Sequence, residues 1–158
     1  MRDAMRLLII PLLVVLAFGG WSGYWLYAAN QVETVIGSWI ERQRAAGAEI
    51  SHAGLKVSGY PFRIRVDLEG PRMALPANPA QPRWRAERLS AISHPWTPQH
   101  IIVDLSAWHA LDAVLDGTQR SWRLDSPNAL ASWSGEASGR LQRLSVDLQE
   151  VKLQEDGS

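Results

Sequence analysis

The chain has 158 residues, with 16 basic and 16 acidic side chains and no cysteine. This charge balance argues against a nucleic-acid partner, which needs a clustered excess of Lys and Arg. Without cysteine the chain contains no disulfide, thiolate metal site, cysteine nucleophile or acylated-cysteine anchor. The length predicts about one domain, whose stability has to come from the burial of apolar side chains.

The N-terminal stretch predicts a membrane-spanning helix. Residues 7–29 read LLIIPLLVVLAFGGWSGYWLYAA and contain no charged side chain. A helix of this length measures roughly 34 Å at ~1.5 Å per residue, enough to cross a hydrocarbon core of ~30 Å. Basic residues precede it and aromatic residues crowd its far end, which predicts a cytoplasmic N-terminus and an external remainder. The predicted membrane-interface residues are Arg2, Arg6, Trp21, Tyr24, Trp25 and Tyr27.

A cleaved secretory signal is the alternative interpretation of this stretch. Ala17 and Gly19 have the small-x-small spacing of a cleavage site. Apolar and aromatic character continues well past that site, which favours retention of the span. Residues 30–46 then place Val32, Ile36 and Trp39 at helical spacing. We expect an amphipathic extension there that packs on the following domain rather than on lipid headgroups.

After Gly47 the hydrophobic period changes from that of a helix to that of a strand. Residues 62–69 alternate strictly, with apolar side chains at the even positions and charged ones at the odd positions. This is the pattern of an antiparallel strand with one face on a core and one in water. We expect strands at 50–58, 62–69, 83–93, near 101–105, at 119–125 and 129–134, and one or two within 142–153. The proline-rich residues 71–82 predict a loop, and Leu89 is out of phase, which indicates a bulge.

Two segments remain ambiguous between helix and strand. Ser106 could cap a short helix, but Asp116-Gly117 is also a good hairpin turn, and we favour the hairpin. Within 141–153, Leu144, Val146 and Leu148 alternate as in a strand, although helical spacing is also present. The final apolar strand is expected to be either a sheet edge or part of an interrupted sheet, and a bare edge invites pairing with another strand.

Three segments, GYPFRIRVDLEGPRM, WRAERLSA and HPWTPQHIIVDL, follow the span in a fixed order. They resemble a bacterial family known as domain of unknown function 2125, with the match concentrated in residues 54–105, the N-terminal half of the family pattern. The residues that carry it are Gly59, Tyr60, Pro61, Phe62, Arg63, Trp84, Arg85, Pro95 and Trp96. The resemblance implies a single-pass, inner-membrane envelope protein with a β-rich periplasmic part and no established activity. Family members generally continue through a further β-rich half, so the domain here is expected to be partial or completed by another copy.

The predicted fold class is mainly β with an N-terminal transmembrane helix. The expected parts are a cytoplasmic N-terminus (1–6), a transmembrane helix (7–29), an amphipathic extension (30–46) and a periplasmic antiparallel β domain (47–158). The sheet is expected to be open and curved or a partial sandwich. A looser fold-level analogy is to the AsmA-like and lipopolysaccharide-bridge proteins.

No catalytic arrangement stands out, so we expect a protein that is not an enzyme and has no cofactor. The four histidines show no ligand spacing, and nucleophile-elbow, phosphate-loop and HExxH motifs are missing. The tryptophans are expected to pack in the core or at its rim. The leading functional hypothesis is lipid binding on an apolar sheet face, and the alternative is a structural subunit that pairs its free strand edge with an envelope protein or a second copy. The candidate lipid-binding residues are Phe62, Ile64, Val66, Leu68 and Trp84.

Overall fold

The computed structural model describes residues 2–135 and 141–156, with side chains described for 9–135 and 142–155. One long helix, α1 (Arg2–Ala45), precedes twelve strands within these residues. The strands are β1 (Glu49–Ser51), β2 (Gly54–Ser58), β3 (Ile64–Glu69), β4 (Arg72–Ala74), β5 (Arg83–Ala86), β6 (Arg88–His94), β7 (Thr97–Asp104), β8 (Ala107–Leu115), β9 (Thr118–Ser126), β10 (Asn128–Gly135), β11 (Leu141–Gln149) and β12 (Lys152–Asp156). The protein is therefore mainly antiparallel β with one N-terminal helix, as the sequence predicts.

Helix α1 combines the predicted span and its amphipathic extension in one continuous element. From Ile9 onward it is long and apolar enough to cross a membrane, with a mean hydropathy of 1.7 in its most apolar window. It ends where Gly47 takes a left-handed backbone conformation, with φ of 92°. The N–H of Gly47 donates to the carbonyl of Arg44 at 2.9 Å, which satisfies one of the last carbonyls of the helix.

The strands form two open six-stranded sheets with the same order of chain segments. The proximal sheet has the order β2-β3-β6-β7-β10-β11, and the distal sheet has the order β1-β4-β5-β8-β9-β12. All pairs are antiparallel. Each of six chain segments thus contributes one strand to each sheet. The fold is a meander of six segments, and each segment is interrupted once where it passes between the sheets.

The register shows that the two sheets are halves of one meander. Glu69 lies opposite Arg88 in the proximal sheet, and three residues further on, Arg72 lies opposite Arg85 in the distal sheet. Backbone hydrogen bonds bridge the interruption, including one from Gly70 N to Glu87 O at 2.8 Å. The segment that forms β7 and β8 has one residue more between the two sheets than its neighbour, the segment of β5 and β6. Ala107, which begins β8, has a positive φ of 138°. Such extra residues are what β-bulges insert.

Most of the predicted strands are confirmed, and the differences concern where they are broken. The predicted strand at 50–58 is split at residues 52–53, and the one at 83–93 is split at Glu87, close to the predicted bulge. The proline-rich loop prediction for 71–82 was wrong at its start, since β4 occupies Arg72–Ala74. A short strand survives there because Pro71 precedes it and its partners β1 and β5 supply the hydrogen bonds.

Both ambiguous segments are strands. β8 and β9 form a hairpin whose turn residues Asp116 and Gly117 have φ of 52° and 76°. Positive φ at both central positions is the requirement of the tightest hairpin turns, which Asp-Gly satisfies at little cost. Residues 141–149 form β11 and 152–156 form β12, and each pairs with a single neighbour among the described strands. The prediction of a sheet edge is confirmed for the described strands.

Few side chains are deeply buried in this thin architecture. In the described part of the chain no large side chain is completely buried, and the core residues include Ile64, Ala86, Ala113 and Ala129. Three tryptophans, Trp84, Trp108 and Trp122, are half-buried on the distal sheet, whereas Trp96 and Trp133 are exposed. A single layer of strands buries only the face that another element covers, and α1 is the element that packs over Ile64.

Candidate functional site: an apolar cleft between the helix and the sheet

One face of the proximal sheet is apolar across all six strands. Directly opposed residues share a face, and the register places Val57 opposite Val66, Val66 opposite Ala91, and Ala91 opposite Val103. The row continues through Ala131 to Val146 on the edge strand. The strict alternation in β3 is therefore one line of a larger two-faced sheet.

The other face of the same sheet carries a paired set of polar side chains around Asp67. Arg65 Nε donates to Asp67 Oδ1 at 2.8 Å, and the buried hydroxyl of Ser90 donates to the same oxygen at 2.6 Å. Burial by itself would raise the pKa of Asp67, but the hydrogen bonds from Ser90 and Arg65 and the nearby positive charges outweigh it. The pKa of Asp67 consequently lies below its usual value. This pairing engages both charged side chains in the middle of β3.

Helix α1 crosses the apolar face and leaves a cleft beneath it. The cleft has a volume of about 630 Å³. The helix contributes Tyr24, Tyr27, Ala28, Gln31, Val32, Ile36 and Trp39, and the sheet and its turns contribute Ile64, Val66, Leu68, Leu89, Ala91, Ile92, Ser93, Pro95, Pro98 and Ile101. None of these lining residues carries a formal charge. The cleft is thus an apolar slot with polar atoms only from tyrosine, glutamine, serine and tryptophan side chains and from the backbone.

The structure brings together three of the five residues that the sequence nominated for lipid contact. Ile64, Val66 and Leu68 line the cleft side by side on β3. Phe62 lies outside it, in the turn before β3, and is 63% exposed. Trp84 belongs to the distal sheet, where its indole stacks on His109 with ring centroids 5.9 Å apart.

The sequence did not predict that residues of α1 form one wall of the cleft. The spacing of Val32, Ile36 and Trp39 indicated an apolar stripe, but a stripe does not reveal which strands it faces. Ile101 and Ala91 were likewise recognised only as members of strands. Their convergence on the same slot depends on long-range packing of α1 across β3, β6 and β7.

Three aromatic residues of α1 fasten the β domain to the helix. The indole of Trp21 donates to the carbonyl of Pro61 at 3.0 Å, and the indole of Trp25 donates to the carbonyl of Arg63 at 2.8 Å. Tyr24 donates to the carbonyl of Pro95 at 3.1 Å. Three of the predicted membrane-interface residues therefore also bind the turns of the proximal sheet, whereas Tyr27 stays exposed. The side chains of Arg2 and Arg6 lie outside the described part of the chain.

The turn before β3 has a backbone that requires glycine. Gly59 has φ of 104°, and a Cβ at this position would come within 2.8 Å of the carbonyl oxygen of Arg63. The N–H of Arg63 donates to Gly59 O at 2.9 Å and closes the turn. This closure points the carbonyl groups of Pro61 and Arg63 at the two indoles of α1. The GYPFR segment, which carries part of the family resemblance, therefore forms the junction with the helix.

Beyond the cleft, the half of the apolar face on β10 and β11 is uncovered. Leu144 and Val146 on β11 are 60% and 57% exposed, and Trp133 on β10 is also exposed.

No group of side chains suited to hold a metal ion is present in the described residues. Within residues 9–135 and 142–155, no three His, Asp or Glu side chains come close enough to hold an ion.

Comparison with known families gives one assignment. The family model described as an uncharacterized protein conserved in bacteria, DUF2125, matches residues 25–158. The match covers the end of the span, the helical extension and all twelve strands. It reaches well beyond the 54–105 region where the resemblance is concentrated in the sequence. Comparisons with curated proteins and with solved structures find no match. The chain belongs to the bacterial DUF2125 family.

Proposed function

We propose that this protein is a single-pass envelope protein of the bacterial inner membrane whose periplasmic β domain binds a lipid acyl chain. Its role is binding rather than catalysis. The cleft between α1 and the apolar face of β3, β6 and β7 is the proposed binding site. The observation that carries the proposal is an uncharged, predominantly apolar slot of about 630 Å³ attached to a helix that can cross a membrane.

The chemistry of the cleft fits a hydrocarbon chain better than a polar metabolite. Ligand sites usually measure roughly 300 to 1,000 Å³ and use a few polar groups to orient the ligand. Here the phenol of Tyr24 is already engaged with Pro95 O, and that of Tyr27 accepts from Gln31. Apart from Ser93 and the indole N–H of Trp39, the remaining walls are aliphatic or aromatic carbon. Burial of an acyl chain is worth about 0.8 kcal/mol per CH₂ relative to water, so the cleft can shield a chain from water without any polar contact.

The position of the cleft also suits a ligand drawn from a membrane. Tyr24 and Pro95 line one end of the cleft, and the same two residues are hydrogen-bonded at the junction between α1 and the sheet. This junction lies directly above the bare part of the span. An acyl chain leaving the bilayer alongside α1 would therefore reach the cleft first.

A structural role at the free edge is the second candidate. The backbone groups on the outer side of β11 have no neighbouring strand among the described residues, and the apolar side chains of β11 are exposed. Such an edge is suited to strand addition by another envelope protein or a second copy. Helix α1 runs along the strands, from Trp25 near Arg63 to Arg44 near Ile50. Two copies paired through antiparallel β11 strands would then direct their anchors in opposite directions, which favours a different protein as the strand partner.

Lipid analysis of purified protein tests the leading proposal. The protein is extracted in a mild detergent, and bound phospholipid or lipopolysaccharide is measured by mass spectrometry. The double variant I64D/V66D places two carboxylates in the cleft and is expected to lose the bound lipid. The control S145D adds a carboxylate to an exposed position on the polar face of β11 and should retain it. Equal lipid content in a folded I64D/V66D variant would contradict the proposal, and a lipid-free complex with another protein would support the structural role.

A further inference from the structure

We propose that two turns of the β domain dip into the membrane interface beside the helix. The turns are Gly59–Arg63 and His94–Trp96, which we call the turn collar, and the residues in contact with lipid are Phe62 and Trp96. The collar rests on the proposed membrane anchoring of α1 but is independent of ligand binding in the cleft. It gives the domain a second, peripheral contact with the phospholipid surface.

The length of bare helix supports this position. Arg6 is the last charged residue before the apolar stretch, and contacts with the β domain begin with Phe18 and Trp21. The stretch from Leu7 to Gly20 measures roughly 21 Å at ~1.5 Å per residue, whereas the hydrocarbon core is ~30 Å thick. The membrane must then extend about two helical turns further, to the level of Trp25. The turn collar lies at that level.

Hydrogen bonds fix the height of the collar on the helix. Trp21 and Trp25 donate to the carbonyls of Pro61 and Arg63 in the first turn. The second turn is held by Tyr24, which donates to Pro95 O, and by the ring of Trp96, whose centroid lies 6.1 Å from that of Trp21. Both turns are thereby attached to one and a half turns of α1, and neither can leave the interface without breaking these contacts.

The exposed side chains of the collar match the membrane interface. Phe62 is 63% exposed and Trp96 is 56% exposed, and Tyr60 is 44% exposed beside Phe18. Aromatic side chains with this exposure are unfavourable in water at the tips of two neighbouring turns, but they are typical of the headgroup region. The exposed side chain of Arg63 follows Phe62 and is long enough to reach phosphate groups.

A phospholipid surface is favoured as the occupant because the collar continues the apolar surface of the anchor. Phe18 packs edge-on against Tyr60, with ring centroids 6.4 Å apart, so the lipid-facing side of the helix passes directly into the turn. A protein partner at this place would have to displace lipid around Phe18. The arrangement also sets the end of the cleft at Tyr24 and Pro95 close to the level of the acyl chains.

Site-directed spin labelling tests the collar directly, since the chain has no native cysteine. Full-length single-cysteine variants F62C, W96C, V14C and T118C are labelled with a nitroxide. They are reconstituted in vesicles of phosphatidylethanolamine and phosphatidylglycerol. Accessibility is measured to oxygen, which concentrates in lipid, and to a nickel chelate, which stays in water. V14C reports the centre of the span, and T118C reports an exposed hairpin at the far end of the distal sheet.

We expect the labels at 62 and 96 to show lower nickel accessibility and higher oxygen accessibility than the label at 118. The collar is overturned if the label at 14 is in lipid but the labels at 62 and 96 behave like the label at 118. It is also overturned if only one of the labels at 62 and 96 is in lipid. Both outcomes leave the anchor intact. A water signal at 14 overturns the anchor itself and the collar with it. Phe62 is exposed, and in W96C the hydrogen bond from Tyr24 to Pro95 O still holds the second turn, so these variants should keep the circular dichroism spectrum of the parent.

Discussion

The indole nitrogen of Trp25 donates a 2.8 Å hydrogen bond to the carbonyl oxygen of Arg63, and this contact joins helix α1 to the first long strand of the sheet. Trp25 is only 7% exposed, although it lies in a helix that is otherwise largely bare on its N-terminal side. The bond has two effects, because it orients the turn before β3 and sets the distance between α1 and the apolar face. The geometry of the cleft therefore depends on a residue that does not line it.

Replacing Trp25 by Phe should destabilise the domain by about 0.5 to 1.5 kcal/mol, the usual contribution of one hydrogen bond. The phenyl ring keeps part of the packing against Tyr60, and the smaller side chain adds a packing loss to the lost contact with Arg63 O. Denaturant unfolding in detergent, followed by circular dichroism, measures the change. W133F is the matched control, since Trp133 is exposed on β10. Equal midpoints for the two variants would show that the Trp25 contact contributes nothing.

Filling the cleft without adding charge should also displace a bound lipid. Ala91 lines the cleft, whereas Ala131 lies on the same apolar face but outside the cleft. We expect A91W to lose copurified lipid and A131W to retain it, because only the first indole occupies the slot. Mass spectrometry of extracted lipid provides the measurement. Loss in both variants would indicate binding to the whole face rather than to the cleft.

The pairing of Asp67 predicts an acid-sensitive contribution to stability. Because the folded pKa of Asp67 is lowered, folding is favoured by its ionised form, and this contribution is complete above the unfolded pKa of about 4. It is lost as the pH falls below that value through the lower folded pKa. We expect D67N to be less stable than the parent at pH 7, with the difference shrinking in acid. Urea unfolding at neutral and acidic pH tests this, with D125N as a control because the Arg123–Asp125 pair is exposed and worth little.

Ser106 is expected to stabilise the boundary between the two sheets. Its hydroxyl accepts a 3.1 Å hydrogen bond from the N–H of Ala129, a residue that is 1% exposed. S106A leaves this buried donor without its partner, which costs about 1 to 3 kcal/mol. Unfolding midpoints and amide exchange at Ala129 report the loss. The control S145A, at an exposed position, should change neither the midpoint nor the exchange rate. An S106A variant as stable as the parent would mean that water or another acceptor replaces the hydroxyl.

The sequence predicted those parts of the fold that depend on local patterns. The strand character of Ile64, Val66 and Leu68 follows from a period of two, and the hairpin at Asp116 follows from the backbone freedom of the next glycine. The apolar span follows from composition alone. These features hold for any tertiary arrangement, so they can be recognised without knowledge of the neighbours.

The features that the sequence did not predict depend on distant segments. The sequence predicts one strand over residues 83–93 and places Trp84 on the same apolar face as Phe62. The interruption at Glu87 instead places Trp84 in the distal sheet. That interruption is held by hydrogen bonds with Gly70 and Trp108. Phe62 falls outside the cleft because the turn closed by Gly59 and Arg63 delays the start of β3. The helical wall needed the three-dimensional docking of α1 across three strands.

Photocrosslinking with a lipid is the most direct test of the central claim, which is that an acyl chain occupies the space between α1 and the proximal sheet. The full-length protein is reconstituted with a phospholipid that carries a photoactivatable group on its acyl chain, irradiated, and digested for peptide mass spectrometry. We expect adducts on the facing walls of the cleft, within residues 27–39, 64–68 and 89–92, in addition to those on the span. Adducts confined to residues 9–20 and to the exposed face of β11 would contradict it.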